Sequence, residues 1–219
     1  IWDLYVPKVI AEIKKRIQPK DFICLITSTP FRPIMDAFPE HLSVEFGIGY
    51  PHTMSKYRVF ESYAWRNYVY GRGNEDGHFF DEVIPNYFEI EDFPVVTEKD
   101  DYFLYIGRLT EKKGYQIAQQ VCKELGKRLI VAGPGEFSGY GEYVGVVGPE
   151  ERARLMGHAK AVFVPTLYVA PFEGVHIEAM LCGTPVITTD FGVFSETVRS
   201  GYSGSRCSTY LDFIEATNL

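Results

Sequence analysis

Three short segments hold the residue types whose spacing could do chemistry. The first, Gly107-Arg108-Leu109-Thr110-Glu111-Lys112-Lys113-Gly114, leaves the apolar run Tyr102 to Ile106. Gly107 lets the backbone turn and admits a ligand closely. Arg108 can grip two oxygens of one phosphate, and Lys113 supplies a compact point charge. The segment also reads as a solvated basic loop, and the glycine spacing of a Walker loop is missing. The second, Val131-Ala132-Gly133-Pro134-Gly135-Glu136, is a strand followed by a glycine turn. It suits a ligand-facing loop and equally an ordinary strand exit. The third runs from Pro171-Phe172-Glu173-Gly174-Val175-His176 through Glu178 to Gly183-Thr184-Pro185. Here Gly174 opens a helix, and the free N–H groups of Gly174, Val175 and His176 form a ready anion site. Glu178 lies one turn in. A carboxylate there is poorly placed to hold phosphate and well suited to accept hydrogen bonds from a ribose diol; its alternative is a charge that simply complements the helix dipole.

Strands alternating with helices must position these segments. From Tyr102 onward the pattern reads as strand 102–106, helix 113–125, strand 128–132, helix 149–158 with Pro149 at its first position, and strand 161–164. It continues as helix 174–182, strand 185–188 and a short helix at 195–200. Such alternation predicts a doubly wound parallel sheet, with ligands at the carboxyl ends of the strands, where all three segments lie. Ahead of it come a helix capped by Asp3 and ending by Pro19, strands at 22–26 and 42–46, an aromatic-rich helix from Lys56 to Tyr70, and a strand at 82–84. The aromatics of 57–70 read as core, with an acceptor cleft as the alternative. A linker is expected over 85–100, which divides the chain into an amino-terminal part, 1–92, and a second domain, 93–219.

Composition narrows the function. Twenty-two basic against 29 acidic residues give a net charge of −7 in 219 residues, which disfavours sequence-independent nucleic-acid binding. The longest apolar stretch, around 161–172, is broken by Pro165 and Pro171 and falls short of the about 20 residues of a membrane span. Cys24, Cys122, Cys182 and Cys207 are scattered, so neither a zinc site nor a disulfide framework follows, and reduced thiols in a cytoplasmic protein are the expectation. The first residues, Ile1-Trp2-Asp3, read as the interior of a longer protein.

Together these residues resemble a retaining glycosyltransferase of the two-domain GT-B fold, glycosyltransferase family four (group 1). The resemblance runs from Val83-Ile84-Pro85-Asn86 through Gly107-Arg108…Lys113-Gly114 and Gly133-Pro134-Gly135. It continues in Glu178-Ala179-Met180…Cys182-Gly183-Thr184-Pro185-Val186-Ile187 and ends with Glu196, Gly201 and Gly204. It implies an α/β architecture in which a Rossmann-like nucleotide-sugar domain follows the later part of an acceptor-side Rossmann-like domain. The earlier part of that domain would belong to a preceding segment or an oligomer partner. It implies that Arg108 and Lys113 hold the diphosphate of a UDP- or GDP-sugar, that the helix start at Gly174 to His176 supports it, and that Glu178 binds the ribose. The sequence departs from the family at Ala170, where the first glutamate of a paired motif would stand beside the sugar; Glu173 is the carboxylate close by. His52, in Tyr50-Pro51-His52-Thr53, is a loop histidine weighed between a cleft role and loop packing.

The chemistry implied is transfer of a sugar to a carbohydrate or glycan acceptor with retention of configuration, with Arg108, Lys113 and Glu173 as catalytic groups. Cations that stabilise the departing diphosphate make a metal unnecessary, and the sequence shows no Asp-x-Asp triplet. Two other readings fit the same segments: a nucleotide-sugar-binding module without turnover, and a nucleotide-sugar epimerase.

Overall fold

The structure is a computed structural model describing residues 2–26 and 28–218. The chain forms two compact units, Ile1–Asn86 and Tyr87–Leu219. The division falls within the linker expected over 85–100, ahead of the boundary placed between 92 and 93. The cause is packing: Phe88 and Phe93 lie against the core of the second unit.

In the first unit, helix α1 (Trp2–Arg16) lays Val6, Val9, Ile10 and Ile13 against Ile23 and Leu25 of strand β1 (Ile23–Ile26). Asp3 sits inside the first helical turn rather than at its cap. After the short helix α2 (Arg32–Asp36) come β2 (Ser43–Ile48), β3 (Tyr57–Phe60), helix α3 (Tyr63–Gly73) and β4 (Asp81–Val83). The four strands are parallel, in the order β1-β2-β3-β4.

The helix expected over 56–70 is thus a strand followed by a helix. Arg58, Val59 and Phe60 are buried, and Arg58 stands opposite Asp81 in the β3–β4 ladder. Its Nε bonds Asp81 Oδ1 at 3.0 Å, its Nη2 bonds Asp81 Oδ2 at 2.6 Å, and its Nη1 reaches Glu75 at 3.1 Å. A buried guanidinium needs such partners, and only the strand register brings them to it. The Ser62 hydroxyl then accepts from Trp65 N at 3.1 Å and starts α3. Of the aromatics on this stretch, Trp65 is core and Tyr63 is exposed.

The second unit has a six-stranded parallel sheet in the order β10-β9-β8-β5-β6-β7. Its strands are β5 (Phe103–Ile106), β6 (Leu129–Ala132), β7 (Glu142–Tyr143), β8 (Val162–Val164), β9 (Val186–Thr189) and β10 (Gly204–Cys207). Its helices are α4 (Tyr115–Glu124), α5 (Pro149–His158), α6 (Gly174–Leu181), α7 (Phe194–Thr197) and α8 (Tyr210–Asn218). Central strands are buried on both faces. Leu104, Ile106, Ile130, Ala132, Val162 and Val164 pack with α5 and α6, while Phe103, Tyr105, Leu129, Val131 and Phe163 pack with α4 and α8. A continuous apolar run is what a strand covered by helices on both sides requires.

The strand order creates the position of the site. From β5 the chain winds outward to β6 and β7, then returns to the other side of β5 with β8 and winds outward again. Two adjacent strands whose connections leave in opposite directions open a crevice at their carboxyl ends. Here those ends are Ile106-Gly107 and Val164-Pro165-Thr166.

Candidate functional site

A cleft of about 270 Å³ opens at this switch point. Gly107, Arg108, Lys113, Gly133, Glu173 and Val175 line it, joined by Tyr105, Pro134, Val146, Val147, Arg152 and Thr166. Gly133 has φ +129, and a Cβ on it would stand 2.0 Å from the Gly107 carbonyl oxygen. The two glycine loops therefore touch backbone to backbone, which no side chain would permit. The Gly133 N–H donates to the Gly145 carbonyl at 2.8 Å, and Tyr143 Oη donates to the Gly133 carbonyl at 2.8 Å. Arg108 is exposed at the mouth, its own carbonyl accepting from Tyr105 Oη at 2.8 Å. Burial and the Glu173 charge raise the Tyr105 phenol pKa far above its ordinary value, so it stays a hydrogen-bond donor.

Lys113 closes a 3₁₀ turn, Glu111–Lys113, just before Gly114 takes φ +67 and α4 begins. Its ammonium pairs with Glu173 and lies 5.2 Å from the centre of the Tyr168 ring. Glu173 itself has φ +65, a left-handed conformation uncommon for a residue with a side chain. Strain of this kind persists where surrounding contacts over-determine it, and functional sites collect it. Those contacts converge on Glu173 Oε1, which accepts from Lys113, from Thr166 Oγ1 at 3.2 Å and from Tyr168 Oη at 3.1 Å. Ala170, three positions earlier, is buried and brings no polar group.

Helix α6 begins at Gly174 with no side-chain cap on its first N–H groups. The His176 imidazole plays no part in the cleft. It is fully buried, donating through Nδ1 to the Glu173 carbonyl and accepting at Nε2 from the Thr197 hydroxyl at 2.7 Å. What His176 offers the site is its main-chain N–H in the first turn of α6. Burial pushes the imidazole pKa down to about 4 from an ordinary 6.5. Between these values the unfolded chain takes up a proton that the folded one refuses. Stability therefore falls as pH drops from 6.5 to 4, by on the order of 3 kcal/mol in total. Thermal melting across that range should show a shallower slope for His176→Gln; an unchanged slope would contradict this origin.

Glu178 stands one turn into α6 and is held by Arg152 of α5. Sequence reasoning missed Arg152, Thr166 and Tyr168. Arg152 reaches Glu178 across 26 positions, and Thr166 and Tyr168 lie in a loop with no recognisable motif. In the first unit His52 is exposed, its carbonyl accepting from Ser28 Oγ at 3.0 Å. All four cysteines are free, with Cys24 exposed. Among the described residues no group of three or more His, Cys, Asp or Glu is placed to hold a metal, and no helix is long and apolar enough to cross a membrane.

Two parallel α/β units, the second with a crevice at the carboxyl edge of its sheet, match solved structures of the GT-B fold. The structure of Anabaena HepE in complex with UDP and glucose matches with a TM-score of 0.79 at 18% identity, over 97% of this chain and 70% of that one. Sucrose-phosphate synthase from Thermosynechococcus elongatus matches with a TM-score of 0.77 at 18% identity, over 97% and 68%. The chain belongs to the glycosyl transferases group 1 family, whose model matches residues 100–217. Among curated relatives, an uncharacterized glycosyltransferase of Methanocaldococcus jannaschii is 28% identical over 126 residues, covering 50% of this chain and 32% of that protein. Glycogen synthase of Mycobacterium tuberculosis is 30% identical over 123 residues, covering 48% of this chain and 30% of the relative. The matches thus span about a third of the length of these curated relatives.

Proposed function

We propose that this chain carries the nucleotide-sugar site of a glycosyltransferase that moves a sugar from a UDP- or GDP-linked donor to a carbohydrate or glycan acceptor, without a metal and with retention of configuration. The observation that supports this reading best is the cleft at the β5/β8 switch point, where Arg108, Lys113 and the start of α6 meet. Each offers N–H donors to an anion. Arg108 presents a planar fork at the mouth. The Lys113 ammonium has three N–H bonds, of which Glu173 takes one, leaving two for phosphate oxygens. The first turn of α6 adds main-chain N–H groups and the positive end of its dipole.

As the glycosidic bond to phosphate breaks, negative charge grows on the leaving diphosphate and positive charge on the sugar ring. Donors already oriented toward the diphosphate stabilise the first without reorganising. In this reading Glu173 addresses the second. Its Oε1 is committed to Lys113, Thr166 and Tyr168, and its Oε2 is left to meet the sugar. The left-handed backbone at Glu173 is then the cost of delivering a carboxylate that position 170 does not provide. The acceptor belongs, in the same proposal, to the first unit.

Ala170 is also the observation that favours the second reading, binding without turnover. Incubation with UDP-glucose, and separately with GDP-mannose, in excess EDTA separates the two. Sugar released to water or passed to an added glycan supports transfer. Intact donor, bound by the protein yet never consumed, contradicts it and supports the binding module.

A further inference from the structure

Arg152 lies at the end of the first turn of α5, lines the cleft, and is pointed to by no motif in the sequence. Its side chain is 34% exposed and that of Glu178 is 15% exposed. Both Nε and Nη2 of Arg152 go to the same oxygen of Glu178, Oε2. Among the described residues, the other oxygen, Oε1, forms no hydrogen bond. It lies 3.5 Å from the point where a Cβ on Gly174 would stand, so it faces the mouth of α6.

This arrangement divides the carboxylate into an anchored oxygen and a presented one. A free glutamate side chain has three rotatable bonds and spreads its oxygens over many positions. Tying Oε2 to a guanidinium, itself fixed on a neighbouring helix, selects one rotamer. Arginine carries only N–H donors, so it competes for no hydroxyl hydrogen that Oε1 would accept.

We propose that Arg152 is a positioning residue for Glu178, holding it so that Oε1 accepts from the ribose hydroxyls of the bound nucleotide. The inference rests on the nucleotide-sugar reading above. It adds to that reading the source of selectivity for ribose over deoxyribose.

The test is calorimetric titration of the full chain and its variants with three matched pairs: UDP and 2′-deoxy-UDP, GDP and 2′-deoxy-GDP, ADP and 2′-deoxy-ADP. The unaltered chain should prefer the ribose form of the nucleotide it binds by about tenfold or more, as expected for a hydrogen bond to a charged acceptor. Arg152→Ala and Glu178→Ala should each bring that ratio to within about twofold of unity, and the double variant should lose no more. Arg152→Lys, which keeps a cation near Oε2, should give an intermediate ratio and serves if the alanine variant does not fold. A purely structural role for Arg152 would weaken both sugar forms equally and leave the ratio intact, which overturns the inference. So would a ratio lost in Glu178→Ala but retained in both Arg152 variants. Failure of the unaltered chain to bind any of these nucleotides is a different result: it removes the nucleotide-sugar reading, and the inference with it.

Discussion

Arg108→Ala is expected to weaken nucleoside-diphosphate binding by roughly 10- to 100-fold while leaving affinity for the nucleoside unchanged. The side chain is exposed at the mouth of the cleft, so nothing in the core depends on it and the melting temperature should not move. Its loss removes two aligned N–H groups and one positive charge from the place where the diphosphate would lie. If charge develops there during transfer, turnover should suffer more than binding, by on the order of 3 kcal/mol in the barrier. Titration with UDP and with uridine, or with the GDP and ADP pairs, reads the first part directly. Equal loss for nucleotide and nucleoside would assign Arg108 to the base or ribose and sink its phosphate role.

Gly133→Ala tests the scaffold. The new methyl carbon would stand 2.0 Å from the Gly107 carbonyl oxygen, and φ +129 is a conformation that only glycine adopts freely. Both loops are main chain at this contact, so neither can swing aside as a side chain would. Backbone strain and displacement together should cost on the order of 3 kcal/mol or more, a fall of about 10 °C in melting temperature for a chain of this size. The cleft should lose its nucleotide at the same time, because Gly107 and Arg108 move with the loop. Gly71→Ala in α3, where a Cβ meets nothing within 4 Å, is the matched control and should be harmless or mildly stabilising. A Gly133→Ala protein that melts normally and binds normally would show that the loops do not need their close approach.

Much of the site was legible because its residues sit where local signals are strongest. Gly107, Arg108 and Lys113 follow a continuous apolar run, Gly133 ends another, and Gly174 opens a helix next to Glu173. Buried parallel strands and the turns that leave them are written in consecutive residues. What was missed depends on contacts between distant positions. Arg152 looks like one more charge on a polar helix until α5 packs beside α6 and places it on Glu178. Glu173 could be named as a nearby carboxylate, but its left-handed backbone and three donors emerge only when Lys113, Thr166 and Tyr168 converge on it. His176 could be placed at the helix start, while the burial that turns its ring away from the cleft comes from Phe172 and Phe194.

The same limit shaped the reading of the fold. Residues 57–70 are aromatic-rich and fit a helical spacing, yet Arg58 and Asp81 pair across a parallel ladder and make 57–60 a strand. Strand β10, Gly204-Ser205-Arg206-Cys207, carries almost no apolar signal and exists because the edge of β9 offers it a partner. Sheet edges of this kind are set by their neighbours more than by their own residues.

The central claim is that the second unit binds a nucleoside diphosphate with cations of the protein in place of a metal. Calorimetric titration of the 219-residue chain with UDP, GDP and ADP, each in Mg²⁺ and in excess EDTA, tests it most directly. The account predicts micromolar affinity for one of the three, equal in both buffers. No binding of any nucleotide by the folded chain, or binding that vanishes in EDTA, would contradict it.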